Sequence, residues 1–160
     1  MAGSNRAGAR DALHNSQPIR SAAESAFGLS HLFQEEPSIV RCLLFDKRPA
    51  SNWKIGWHQD LNIRQTDGET LEWDKLARVL TLRLHLDTTT AENGALKVLP
   101  GSHLQGPLSD QQRRDLDIEP VTVEAEAGQV LIMSPLLVHS SSPSANPSHR
   151  RVIHVEYLQG

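Results

Sequence analysis

Cys42 is the single cysteine in a chain of 160 residues, so no internal disulfide can brace the fold. It sits in the apolar run 39–45, where a thiol reads as buried and inert, and the lack of a disulfide framework fits a reducing compartment. Excess charge is lacking too: 16 Lys and Arg stand against 19 Asp and Glu, a net of −3. Without a basic stripe, nucleic acid and anionic membrane surfaces are excluded as natural partners. No apolar stretch approaches the ~20 residues that span a bilayer. The opening Met1-Ala2-Gly3-Ser4-Asn5-Arg6 lacks the charged-then-apolar pattern of a secretory signal. No internal repeat is visible. These absences leave a single domain over 1–160 with one core, expected in the cytoplasm and acting on a small molecule.

Residues 1–18 are small and polar and are expected to be loose. Ser21-Ala22-Ala23-Glu24 has capping-box spacing and opens an Ala-rich segment, predicting helical structure over 19–36 with an interruption at Gly28. Beyond Pro37 the pattern changes to short strands. The runs 39–45, 79–86, 121–124, 128–133, 136–139 and 151–158 are the candidates, divided by turn chemistry at Asn93-Gly94, Pro100-Gly101 and Ala127-Gly128. A short helix is predicted over 109–116, with Ser109 as N-cap and Gln112 completing the cap. Many short strands with helix mostly confined to the start predict a β-sandwich or jelly roll with its core over 38–158.

Within that frame His58-Gln59-Asp60 is followed far downstream by His139 and then Arg150. A histidine and a carboxylate two apart on a strand point to one face. A second histidine from a distant strand completes a two-His-one-carboxylate set, which leaves half the coordination sphere of a non-heme Fe(II) open. An arginine soon after the second histidine suits the far carboxylate of a 2-oxo acid. Two features stay open. The polar segment 61–76 is either a substrate lid or an exposed connector. In 79–86, Leu80, Leu82, Leu84 and Leu86 occupy one face and Thr81, Arg83 and His85 the other, and either face could be the inner one.

Leu43-Leu44-Phe45-Asp46-Lys47, Trp57-His58-Gln59-Asp60, Glu92-Asn93-Gly94 leading into Pro100-Gly101-Ser102-His103, Val138-His139-Ser140-Ser141 and Arg150-Arg151-Val152 occur in one order. Together they resemble the phytanoyl-CoA dioxygenase family of Fe(II)- and 2-oxoglutarate-dependent oxygenases, over about 40–157. The resemblance implies a double-stranded β-helix, with His58, Asp60 and His139 as iron ligands. It implies that Arg150 pairs with the 2-oxoglutarate tail, Arg151 being the alternative one register step away, and that Ser141 helps hold the cosubstrate. Arg83 stands where many relatives carry an aromatic beside the cosubstrate. The implied cofactors are Fe(II), 2-oxoglutarate and dioxygen. The implied reaction is hydroxylation of a small molecule with release of succinate and carbon dioxide. Related halogenases carry a small residue at the position of Asp60, so its carboxylate favours hydroxylation.

Other polar residues have plainer readings. His14, His31 and His149 fall in polar or helical surroundings, and His103 shapes its turn. His85 and His154 could each line a pocket or be hydrogen-bonded in the core. Trp53 and Trp57 read as packing, and Arg41 and Lys47 as surface charges. Two other functions compete: a jelly-roll binder without catalysis, and a cupin-like metalloenzyme that uses no 2-oxo acid. No CoA-binding signature is recognisable, and the substrate and oligomeric state are not legible.

Overall fold

A computed structural model describes residues 37–48, 51–65, 68–145 and 149–159; the expected helical segment 19–36 lies outside them. Eight strands form two antiparallel sheets of four. The larger has the order β1 (Ser38–Lys47), β8 (Arg150–Leu158), β3 (Val79–His85), β6 (Val130–Met133). The smaller has the order β2 (Ile55–His58), β7 (His139–Ser141), β4 (Leu96–Val98), β5 (Val121–Val123). This is the double-stranded β-helix.

Strand β8 is the spine of the larger sheet, because it pairs with β1 along one edge and β3 along the other. Cross-strand partners share a face. Thr81, Arg83 and His85 therefore lie beside Glu156, His154 and Val152, and Arg41, Leu43 and Phe45 continue the same rows. That polar face turns inward. The opposite face is apolar and also buried: Leu82, Cys42, Val155 and Tyr157 form one cluster, with Leu80 and Ile153 against it. Neither face of β3 is a solvent face.

The segment 61–76, expected as a lid or an exposed connector, is exposed at most of its described residues but anchored by its apolar ones. Ile63, Leu71 and Leu76 are buried with Val40, Val79 and Leu136, and Leu61 packs on them, so its apolar side chains are part of the core. Its one aromatic, Trp73, projects to solvent from a 3-10 turn, Trp73–Arg78. The short helix α1 covers Asp110–Arg114, ending before the expected limit of 116, and its Ser109–Gln112 capping box is formed in both directions. The strand expected at 136–139 begins only at His139. Leu136 and Val138 instead anchor a turn into two different apolar clusters, which a strand's alternation cannot do. Among the described residues no helix is long and apolar enough to cross a membrane.

Gly94 ends the Asn93-Gly94 turn in the left-handed region, φ 83°. A Cβ there would collide with the Ser142 carbonyl oxygen and stand 3.3 Å from the Lys47 ammonium. Gly94→Ala is expected to lower unfolding free energy by about 2–4 kcal/mol, from backbone strain plus the clash. Denaturant titration measures it, and a loss under about 0.5 kcal/mol would refute the close approach.

Candidate active site

Strand pairing builds the site. His58 at the end of β2 is the direct partner of His139 at the start of β7, and the two rings stand 4.2 Å apart between centroids. Asp60 does not continue the strand, which ends at His58; its backbone N–H instead donates to the Pro135 carbonyl at 2.9 Å. The residue between them explains the exit. Gln59 is buried, and its amide donates to the carbonyls of Leu136 (2.6 Å) and Gly106 (2.9 Å) while accepting from Leu108 N–H (2.7 Å). One side chain thus ties two loops to the strand end, where the chain turns to bring Asp60 to the histidines. Sequence reading missed it, although a glutamine fixed between two candidate ligands was a usable signal.

The donor set is poised for a cation. Nδ1 of His58 lies 2.9 Å from the Gly56 carbonyl and Nδ1 of His139 lies 2.8 Å from the Leu137 carbonyl. Carbonyl oxygens only accept, so each Nδ1 carries the proton and each Nε2 lone pair is free. Each Nε2 is 3.6 Å from an Asp60 oxygen, too long for a hydrogen bond. That spacing is within what two bonds of about 2.1 Å to a shared ion can span. The three donor atoms lie within 4.8 Å of one another. Burial pushes His139 down to about 4, which keeps it neutral. Burial also pulls on His58, but Asp60 and the Gly56 carbonyl outweigh it and the net shift is upward. Burial would raise Asp60, yet contact with His58 and the charges of His139 and His154 hold it well below the usual carboxylate range. Two neutral imidazoles and one carboxylate suit Fe(II).

The triad borders a cavity of about 230 Å³ between the sheets. Arg150, Ser141 and Arg83 all line it. Arg150 is buried and donates from Nη1 to the Gly94 carbonyl at 3.1 Å, while its Nε has no partner. Arg151 points the other way, pairing with Asp87 at the surface, so the register places the first arginine of the pair inside. Burial lowers both Arg83 and Arg150 to about 10, with Arg150 adding to the effect on Arg83; both stay cationic at neutral pH.

Four sequence readings need correction. Lys47 is fully buried, not a surface charge: Nζ donates to Ser141 Oγ at 3.0 Å and to the Ser142 carbonyl, and lies 5.6 Å from the Trp53 ring centroid. Arg41 lines the cavity and makes a two-pronged ion pair with buried Glu156. Trp53 lines the cavity as well, whereas Trp57 is partly exposed. Both long cations were read as exposed because sequence gives no sign that the inner face of a sheet is polar. His154 lines the cavity, and His85 is a core residue bonded to Thr89 Oγ1 at 2.8 Å. His149 pairs with Asp46 at the surface.

A double-stranded β-helix here carries two histidines, one carboxylate and an inward arginine on a single cavity. The family described as Phytanoyl-CoA dioxygenase (PhyH) matches residues 4–152, and the chain belongs to it. Phytanoyl-CoA dioxygenase 1 of Oryza sativa subsp. japonica is 23% identical over 163 residues, 92% of this chain and 55% of the rice protein. The chain thus spans about half the length of that relative. The non-heme alpha ketoglutarate dependent carbocyclase SnoK from nogalamycin biosynthesis superposes with a TM-score of 0.72 at 21% identity, over 93% of this chain and 61% of its own. EctD from S. alaskensis with bound Fe gives 0.69 at 22%, over 91% and 54%. At those identities the likeness establishes the fold.

Two outcomes follow from the buried contacts. Gln59→Leu keeps the volume but strands a donor and two carbonyls, so a loss of about 2–4 kcal/mol is expected in denaturant unfolding; an unchanged midpoint would remove the staple from the account. Burial, then Arg150 and Arg83, lower Lys47 from 10.5 to about 8. Between those values the unfolded chain holds a proton that the native chain has lost, so stability rises with pH. The stability of wild type relative to Lys47→Met is therefore expected to increase from about pH 8 to about pH 10.5. A flat difference across that window, followed by thermal unfolding, would contradict it.

Proposed function

We infer that this chain is an Fe(II)- and 2-oxoglutarate-dependent dioxygenase that hydroxylates a small organic molecule, releasing succinate and carbon dioxide. The carrying observation is one cavity that joins the His58–Asp60–His139 donors to a buried Arg150 with an unpartnered Nε. A metal-binding jelly roll without a 2-oxo acid would have no use for that second feature.

Iron bound by His58, Asp60 and His139 would supply the oxidising power, coupling loss of carbon dioxide from the 2-oxo acid to insertion of oxygen into a substrate C–H bond. The chain's own groups do the rest. The Gly56 and Leu137 carbonyls lock both imidazoles in the ligating tautomer. Gln59 holds the turn that presents Asp60. Arg150 offers its planar fork to the far carboxylate, and Ser141 and Lys47, already bonded to each other, flank that end. Arg83 lines the same cavity, in place of the aromatic that the family resemblance implies there. Leu43, Phe45, Ile55 and Leu96 form an apolar wall that limits water around the reacting atoms.

The test is anaerobic addition of Fe(II) and then 2-oxoglutarate, read as the visible metal-to-ligand charge-transfer band. Asp60→Ala is expected to abolish the band. Arg150→Ala is expected to weaken 2-oxoglutarate affinity by about 10²-fold, since a buried carboxylate partner is lost. Folded, iron-loaded wild type that gives no band would end this reading.

A further inference from the structure

More positive charge surrounds the cavity than a metal and 2-oxoglutarate would use. Arg41, Arg83 and Arg150 line it and Lys47 adjoins it through Ser141, against the carboxylates of Asp60 and Glu156. A divalent metal adds two positive charges and the cosubstrate dianion removes two, so the surplus persists in the loaded site. Position tells which cation carries it. Glu156 is taken by Nε and Nη2 of Arg41. The two cosubstrate carboxylates are taken by the metal and by the end formed by Arg150, Ser141 and Lys47. Among the described residues Arg83 is left without a carboxylate in direct contact.

Its surroundings are unusual for a buried guanidinium. Arg83 is 5% exposed, its Nε has no partner, and it lies 5.4 Å from the Phe45 ring centroid. Among the described residues its side chain makes one hydrogen bond, from Nη1 to His154 Nδ1 at 2.9 Å. His154 brings no negative charge. Its Nδ1 must accept from arginine, so its proton sits on Nε2, which donates to Glu156 Oε1 at 3.2 Å. A buried cation without a carboxylate costs several kcal/mol, and an incoming anion would recover much of it. Arg83 bonds His154, whose ring lies with a nitrogen within 4.8 Å of an Asp60 oxygen, so an anion on Arg83 would lie at the metal end of the cavity.

We propose that Arg83 anchors a carboxylate of the primary substrate, and that the enzyme acts on a small carboxylic acid rather than on a neutral molecule. This rests on the Fe(II)/2-oxoglutarate reading of the site. The guanidinium fork matches a carboxylate, and the Phe45 ring behind it leaves one edge to offer. The competing source of the same chemistry is the cosubstrate's own carboxylate at the metal.

The experiment uses the full chain loaded with Zn(II), which binds without turnover, and saturated with 2-oxoglutarate. Acetate and propionate, with acetamide as neutral control, are titrated by calorimetry. Saturable acetate binding on the order of millimolar is expected, with none for acetamide. Arg83→Gln should weaken acetate at least about tenfold while 2-oxoglutarate affinity stays within about threefold. Absence of saturable acetate binding in wild type overturns the proposal. So does a fall of about tenfold or more in 2-oxoglutarate affinity in Arg83→Gln, which would assign Arg83 to the cosubstrate. Should the variant not fold, wild type loaded with Mn(II) gives the answer through paramagnetic relaxation of ¹³C-carboxyl acetate. Enhancement that survives saturating 2-oxoglutarate supports the second subsite, and enhancement displaced by it, or none, overturns it. Failure of 2-oxoglutarate itself to bind the metal-loaded protein is seen before acetate is added, and it ends the parent reading and this proposal together.

Discussion

The pairing of β2 with β7 is the constraint from which the rest of the site follows. It sets His58 directly opposite His139, and the same two strands set Ile55 opposite Ser141 one step deeper. A one-residue slip of β2 would turn His58 away from the cavity while β4 holds β7 in place. Register is therefore pinned at the point where the strand stops. Gln59 leaves the ladder and bonds two loops, and Asp60 is held by Pro135. The carboxylate reaches the histidines because the chain bends after His58, not because the strand continues.

Facing these donors, the inner surface of the larger sheet is built from charged side chains where a sandwich would place its core. Arg83, His154, Glu156 and Arg41 form one connected row across three strands, and Arg150 and Lys47 occupy neighbouring positions at its deep end. Such a surface is expensive to bury unless each charge is paired or hydrogen-bonded. The protein meets this with tautomer-fixed imidazole and bidentate pairing at the mouth, and it leaves arginine Nε atoms unpartnered deeper in. Hydrophobic stabilisation comes from elsewhere: the outer face of the same sheet and the clusters that hold Ile63, Leu76, Leu99 and Val138. Function and stability thus use opposite faces of one set of strands.

Much of this was legible in the chain. The strand candidates at 39–45, 79–86, 121–124, 128–133 and 151–158 each overlap an observed strand, and the capped helix at Ser109 formed as its residues dictate. β2 and β4 were not marked as strands, because Ile55–His58 and Leu96–Val98 are too short to show alternation. The misplaced start of β7 has a different cause: Leu136 and Val138 are apolar for packing in separate clusters, which mimics a strand pattern. Arg41 and Lys47 looked like surface charges since burial of a long cation depends on partners, Glu156 and Ser141, that lie more than ninety residues away.

What the sequence determined by itself was identity and order. Two histidines, one aspartate and one arginine occur at spacings that the fold brings onto one cavity, and local turn and strand chemistry points to a sandwich or jelly roll. Only the tertiary structure decided direction and company: which face of β3 is inner, which of Arg150 and Arg151 enters the cavity, and which buried cation has no carboxylate in direct contact among the described residues. Those are properties of strand register between segments far apart in sequence. No local pattern encodes them, because the free energy that selects a register is spread over every cross-strand pair at once.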